Sequence, residues 1–395
     1  DGHDIGALLK ALKEARRTKN RPTMIVARTL KGKGVSIFEG LDNWHGKALK
    51  KGDQADRAVA ELEVRLTAGL VTPKIPSPAA LPTETVQPAN DANVLTPQYD
   101  VDAKVATRKA YGSALATLGA VDQRVVALDA DVSNSTFSNA FEEAHGARFY
   151  QTFIAEQAMV GAAMGLASRG AIPFPSTFAC FLSRAYDFIR MAGISNLNIK
   201  LAGSHAGVSI GEDGPSQMAL EDLAMMRAVP NCTVLYPCDA MSTERLVMVA
   251  AAHKGMVYIR TTRPATPVIY GADEKFEIGG SKVIRNAPLA VATIVAAGIT
   301  VFEALKASDE LLEAGTPIRV IDAYSIEPVD VATLVDSARQ TGNALITVED
   351  HYVNGGLGDA VSAAVGALGI QVHRLAVKDI PRSGQPDELF DRYGI

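Results

Sequence analysis

Three features of the sequence predict an α/β protein built on parallel sheets. Short β-branched runs alternate with longer helical patterns. Several of the short runs are continuously apolar instead of alternating, the mark of strands covered on both faces. Two shifts in composition divide the 395 residues into stretches that suit separate domains, at about 150 residues each.

In chain order, a helix is expected at Ile5–Arg17 and a strand at Thr23–Arg28, then a glycine–lysine loop. One strand cannot make a sheet, so residues 1–71 read as the tail of a domain whose earlier strands are absent. Residues 72–98, "TPKIPSPAALPTETVQPANDANVLTPQ", read as an extended linker. Residues 99–270 carry strand patterns at Arg124–Asp129, Ile199–Ser204, Thr233–Tyr236 and Val257–Arg260. Helical patterns between them fall at Ala106–Gly119, Glu156–Ser168 and Met218–Arg227. A break at "YGADEK" (Tyr270–Lys275) opens the last piece, residues 271–395. Its strands are expected at Ala290–Val295, Ile318–Asp322, Ala344–Val348 and Gln371–Leu375, and its helices at Glu303–Glu313 and Leu357–Leu368. No repeat of fixed period is apparent.

The net charge of −5 is small for this length and offers no nucleic-acid or anionic-membrane surface. Cys180, Cys232 and Cys238 match no zinc spacing, and reduced thiols in a cytoplasmic protein are the expectation. No signal-peptide pattern opens the chain. The longest uncharged run, Asn286 to Phe302, is shorter than the roughly 20 residues that span a bilayer and is broken by Gly298.

Several motifs could carry chemistry. "KGKG" (Lys31–Gly34) brings glycine N–H groups and cations together as a phosphate site would, but lacks P-loop spacing and alone reads as a turn. "NWHG" (Asn43–Gly46) places His45, a residue suited to proton transfer, in a loop. "NGGLGDAV" (Asn354–Val361) reads as a tight strand-to-helix turn, without the dinucleotide fingerprint. "GSHAGVSIGEDGPSQ" (Gly203–Gln217) is a long polar turn after a strand, where ligands tend to bind; His205 and Asp213 could hold hydroxyls or a phosphate. "PFPSTFACFLSRAYDFIR" (Pro173–Arg190) gathers aromatics that suit either a core or a flat cofactor ring. Finally, "FIAEQAMVGAAMGLASRG" (Phe153–Gly170) reads as a helix apolar on all sides, hence buried, with Glu156 in its first turn. The helix dipole would favour that carboxylate, and desolvation would raise its pKa toward a general acid/base range. Gly161 and Gly165 would let another backbone approach.

In their order these motifs, with "ATRKAYGSALATL", "NSTFS", "YIRTTRP", "TVEDHYVNGGLGDAV" and "PRSGQP", resemble the transketolases over essentially the whole chain, nearer the animal-type than the yeast-type branch. The resemblance implies a thiamine-diphosphate-binding (pyrimidine) domain on a parallel sheet, a C-terminal α/β transketolase domain, and, before them, the tail of a truncated diphosphate-binding domain. It implies transfer of a two-carbon ketol unit from xylulose 5-phosphate to ribose 5-phosphate or erythrose 4-phosphate, in the pentose phosphate pathway. Glu156 matches the glutamate that contacts the aminopyrimidine ring nitrogen and promotes the imino tautomer, which takes the thiazolium proton. Phe178 and Phe181 match the aromatics of the pyrimidine pocket, and Lys31, His45 and Gln217 match groups around the cofactor and the reacting carbons. Asp131 lies where the family places an acid near the cofactor. His205 and Asp213 match substrate contacts, and Arg108, Ser135 and Arg263 match the sugar-phosphate site, with His45 also near substrate. A homodimer with active sites at its interface is implied, with no nucleic-acid or membrane partner.

The chain also departs from the pattern. Gln217 stands where yeast-type enzymes carry histidine; glutamine hydrogen-bonds but does not titrate. The family's Gly-Asp-Gly segment and asparagine, which hold Mg²⁺ or Ca²⁺ on the diphosphate, are not in the chain, so no metal ligand is expected here. That implies a fragment of a longer protein, active only when the rest is supplied. Two other readings stay open: a deoxyxylulose-phosphate synthase or dehydrogenase-type relative, and a non-catalytic transketolase-like protein that dimerises.

Overall fold

A computed structural model describes residues 1–42, 44, 47–66, 97 and 99–395. The chain forms two units, Asp1–Thr83 and Glu84–Ile395.

In the first unit, α1 (Ile5–Arg17) starts at Asp4, whose carboxylate accepts the Ala7 N–H at 3.0 Å, and stops at Thr18. α2 (Asp53–Glu63) follows the Gly-Lys loop. The expected strand at Thr23–Arg28 is not one. Among the described residues this stretch has no ladder; a single backbone bond, Gly2 N–H to the Arg28 carbonyl at 2.8 Å, ties its end. An extended run becomes a strand only when a neighbour accepts its hydrogen bonds. The "KGKG" loop turns through Gly32 (φ +69°) and Gly34 (φ +100°), and Glu39 accepts the Gly34 N–H at 2.7 Å. The expected linker, residues 72–98, lies almost wholly outside the described residues.

The second unit holds β1 (Lys104–Ala106), β2 (Val125–Asp129), β3 (Phe149–Gln151), β4 (Ile172–Phe178), β5 (Lys200–Ser204), β6 (Cys232–Leu235), β7 (Met256–Arg260) and β8 (Ala265–Pro267). Beyond them come β9 (Lys282–Arg285), β10 (Thr293–Ala296), β11 (Arg319–Asp322), β12 (Ser325–Glu327), β13 (Ala344–Tyr352) and β14 (Gln371–Val377). The larger sheet has the order β12-β6-β7-β5-β4-β2-β3 and is parallel except for β12. The second, β14-β13-β10-β11-β9, is parallel except for β9. β1 and β8 form a separate antiparallel pair. β12 therefore leaves its own stretch of chain and edges the larger sheet, joining residues 99–270 to residues 271–395.

Both faces of the larger sheet are covered, as the continuous apolar runs predict. α3 (Thr107–Val121), α5 (Asn139–His145) and α9 (Ala240–Ala252) cover one face through Tyr111, Leu115, Phe141 and Leu246. α6 (Glu156–Ser168), α7 (Tyr186–Ile194) and α8 (Asp222–Arg227) cover the other through Met159, Val160, Ile189 and Leu223. A short helix, α4 (Ser133–Thr136), sits after β2, and α10 (Thr300–Glu313), α11 (Val331–Gln340), α12 (Leu357–Val365) and α13 (Pro386–Tyr393) belong to the C-terminal part.

Three expectations need correction. α8 starts at Asp222, not Met218, because Ala219 sits at φ +47° and the Leu220 carbonyl is taken by the Tyr352 N–H. β4 was not expected; two prolines, Pro173 and Pro175, are unusual in a central strand. Both prolines pair with β2, at Val126 and Leu128, and the ladder with β5 begins only at Ser176, beyond them. And α6 is not buried all round: Ala158, Ala162 and Gly165 are exposed in this chain, while Met159, Val160 and Ala163 are buried. Gly161 packs against the Phe188 ring, not a backbone, and among the described residues nothing lies within 4 Å of where a Gly165 Cβ would be.

Candidate active site

The carboxyl ends of β2, β4 and β5 meet at one edge of the larger sheet, where ligands of open parallel sheets bind. Asp129, the last residue of β2, builds the turn that follows. Its buried carboxylate accepts the Val132 N–H at 2.7 Å, the Ser138 hydroxyl at 2.8 Å and the Thr136 hydroxyl at 3.0 Å. Burial raises its pKa, against those hydrogen bonds. The turn presents exposed Asp131 and half-buried Ser135. Gln151, at the end of β3, accepts the N–H of Asp131 at 3.0 Å and of Phe153 at 2.9 Å, tying this turn to the entry of α6. Neither Asp129 nor Gln151 was singled out from sequence. Their signal is only a polar residue closing a strand pattern.

Glu156 opens α6 at its positive dipole end. It is 8% exposed, and its carboxylate has no hydrogen bond or ion pair among the described residues. It lies in a cleft of about 580 Å³ with Ile154, Cys180, Phe181, Arg184 and Ser216. Phe181 stacks on Phe178, the last residue of β4, at 5.2 Å between ring centres. Burial, then Glu221, pushes the Cys180 thiol up to about 12, so it stays protonated. Gln217 is half-buried beyond Ser216, its N–H bonded to the Gly214 carbonyl at 3.1 Å.

His205 follows β5 at φ +58° and stacks on Phe178 at 4.0 Å. Its Nε2 lies 3.4 Å from Arg108 Nη1 and its Nδ1 2.8 Å from the Ser204 hydroxyl. The guanidinium can only donate, so Nε2 accepts and the ring proton sits on Nδ1. Burial, then Arg108 and Arg263, holds the imidazole down to about 3, neutral near pH 7. Arg108 also donates to the Ser135 carbonyl at 2.8 Å and lies 5.2 Å over the Phe137 ring, while its buried Nε has no partner. Gly112 permits this: a Cβ there would strike the Phe137 carbonyl, so only glycine lets α3 approach the 133–138 turn so closely. Arg263 pairs with Asp213 at 3.1 Å and donates to the Ile210 carbonyl at 3.2 Å. The structure thus brings Arg108, Ser135 and His205 into contact, and Arg263 with Asp213.

Lys31 belongs to the first unit, and His45 lies outside the described residues. A larger cleft of about 720 Å³ lies at the opposite end of the sheet, beside Asn231 and Gly255, but its Arg227 is already occupied by Glu327 and the carbonyls of Gly355 and Gly356.

A carboxylate without a partner, a stacked aromatic wall and a guanidinium with a free buried donor suit a flat basic heterocycle and an anionic second ligand. Comparisons agree. Residues 103–268 match the pyrimidine binding domain of transketolase, 282–395 its C-terminal domain, and 1–65 its thiamine diphosphate binding domain. The chain is 52% identical over 398 residues to transketolase-like protein 2 of Mus musculus and 48% identical over 403 residues to transketolase of Homo sapiens; all of this chain is covered, and 63% of each relative. A solved split gene transketolase, an inactive beta4 tetramer, is 42% identical with a TM-score of 0.68, covering 73% of this chain and 94% of that one. The fold also matches transketolase from Campylobacter jejuni at a TM-score of 0.76 and 19% identity, over all of this chain and 64% of that one. With its pyrimidine-binding and C-terminal regions both matched, the chain belongs to the transketolase family.

Proposed function

We propose that this chain supplies the pyrimidine side of a thiamine-diphosphate site and acts in ketol transfer between sugar phosphates, as part of a longer protein. The observation that carries the reading is the Glu156 carboxylate, partnerless among the described residues, on the wall of a cleft beside stacked Phe178 and Phe181. An acceptor-only carboxylate on a cleft wall, with no partner among the described residues, is free to take a hydrogen bond from a ligand. The aminopyrimidine ring nitrogen fits that role, and the two rings fit the face of the heterocycle.

Thiamine diphosphate, when bound, supplies the electron sink that carries the two-carbon unit from donor to acceptor. The protein's part is positioning and proton control. Glu156 shares a proton with the ring nitrogen. Phe178 and Phe181 hold the ring flat and keep water from it. Arg108 and Arg263, with Ser135, hold the sugar's phosphate, where a planar fork of donors suits the dianion. Neutral His205, with Nε2 accepting from Arg108, holds that guanidinium toward the sugar's phosphate, and Asp213 does the same for Arg263. Gln217, Asp131, Lys31 and His45 are assigned to the cofactor and reacting carbons from the family resemblance, and His45 to proton transfer. Mg²⁺ or Ca²⁺ is assigned to ligands outside this chain.

Boundaries at 71, 98 and 270 are retained as proposed domain limits, and a cytoplasmic location goes with the three free thiols. Among the described residues no helix is long and apolar enough to cross a membrane. The decisive experiment is ketol transfer from xylulose 5-phosphate to ribose 5-phosphate by the full-length protein. Consumption of pyruvate instead, or no binding of thiamine diphosphate, would overturn the reading.

A further inference from the structure

The loop that carries His205 and Asp213 is shaped from outside its own domain. Its Val208 N–H points at Asp350 Oδ1, 2.6 Å away, and its Ser209 N–H at Asp350 Oδ2, 3.4 Å away. Asp350 lies on β13, in the C-terminal part of the chain, and is 1% exposed. Gly207 stands at φ +92°, and a Cβ there would fall on the Asp350 carboxylate. Fully buried Arg260 fixes the same residue by donating to its carbonyl at 3.0 Å. The far side of the loop rests on α13: Gln385 donates to Glu212 at 3.1 Å, and Val208 and Ile210 pack with Leu389 and Phe390.

We propose that Asp350 is a positioning residue for the sugar-phosphate site, holding loop 205–213 so that His205 and Asp213 face the substrate. This rests on the ketol-transfer reading above. The physical reason is that a loop with two positive-φ glycines, Gly207 and Gly211, has little conformational preference of its own. Two charge-assisted hydrogen bonds to a buried carboxylate select one shape. The C-terminal domain thereby enters the reaction without touching substrate.

The test uses the full-length protein with Asp350→Ala and Asp350→Asn. Asparagine keeps the shape and one acceptor, so Asp350→Asn keeps the test alive where Asp350→Ala does not fold. The expected result is a KM for the sugar phosphate raised on the order of 10²-fold in Asp350→Ala and less in Asp350→Asn. Thiamine-diphosphate affinity stays near its original value, and amide hydrogen exchange rises at 205–213 but not across the larger sheet. Folded variants with unchanged KM and unchanged exchange would overturn the proposal. So would exchange rising uniformly, with cofactor and sugar affinity falling together, which is the mark of a merely structural residue. Where the unaltered protein shows no ketol transfer, the activity reading fails, and the exchange pattern alone still decides for or against positioning.

Discussion

Glu156 and His205 are opposite uses of burial. Glu156 is a largely buried residue whose carboxylate lines a cleft with no partner among the described residues, and its role follows from what it lacks. Replacing it with alanine should lower kcat on the order of 10²–10⁴-fold, the range of a lost acid/base contribution. Near-normal turnover in a folded Glu156→Ala enzyme would remove the assignment. His205 is buried with partners that only suit its neutral form. Its pKa falls from 6.5 to about 3 on folding, so the unfolded chain binds the extra proton first. Its contribution is therefore present above pH 6.5 and is lost as pH falls toward 3. His351, held down to about 4 by burial, acts in the same direction. The thermal midpoint should drop over this window, and His205→Gln should flatten the drop; an unchanged slope would contradict the neutral assignment. The burial of the Glu156 helix was expected from its apolar run, but the neutral state of His205 is not legible in the sequence, where "GSHAG" shows residue types without depth.

At the scale of elements, α12 shows how a motif can look like a ligand site and be filled from within. The turn "NGGLGDAV" delivers the N–H groups of Leu357 and Gly358 to Glu349, at 2.6 Å and 3.0 Å. The carboxylate occupies the place an anion would take at a helix start. Burial nevertheless pushes Glu349 up to about 7 from 4.5, outweighing both hydrogen bonds. A raised carboxylate pKa contributes stability below 4.5 that is lost as pH rises through about 7. Glu349→Gln should remove that loss, so its thermal midpoint should rise relative to the unaltered protein between these pH values. A constant difference would show that Glu349 does not titrate there. Periodicity served well for elements with local causes. α1 and α6 have the expected bounds, because their apolar spacing and first-turn residues are local. β4 and the start of α8 were not legible, because a ladder register and a bond to Tyr352 decided them.

The whole molecule raises the question of what covers α6. Phe153 and Ile154 are 70% and 79% exposed, and Ala158, Ala162 and Gly165 continue the strip. We propose that the homodimer the family resemblance implies would cover this strip, where small side chains leave room for a second helix. Ala162→Arg in the full-length protein should shift sedimentation from dimer to monomer and cut activity with it. A dimer unaffected by this change would place the interface elsewhere.

The sequence by itself determined the fold class, most strand and helix positions and the family, because apolar periodicity and an ordered set of motifs are local properties of the chain. It also named Arg108, Ser135, Glu156, His205 and Arg263, but not Asp129, Gln151 or Asp350. Only the tertiary structure decided which of them touch. Contacts such as Arg108 with His205, Gln151 with Asp131, and Asp350 with Val208 join residues 97, 20 and 142 positions apart. Such pairings depend on strand order, glycine-permitted approach and the burial of charge, and those arise only when the two sheets are packed.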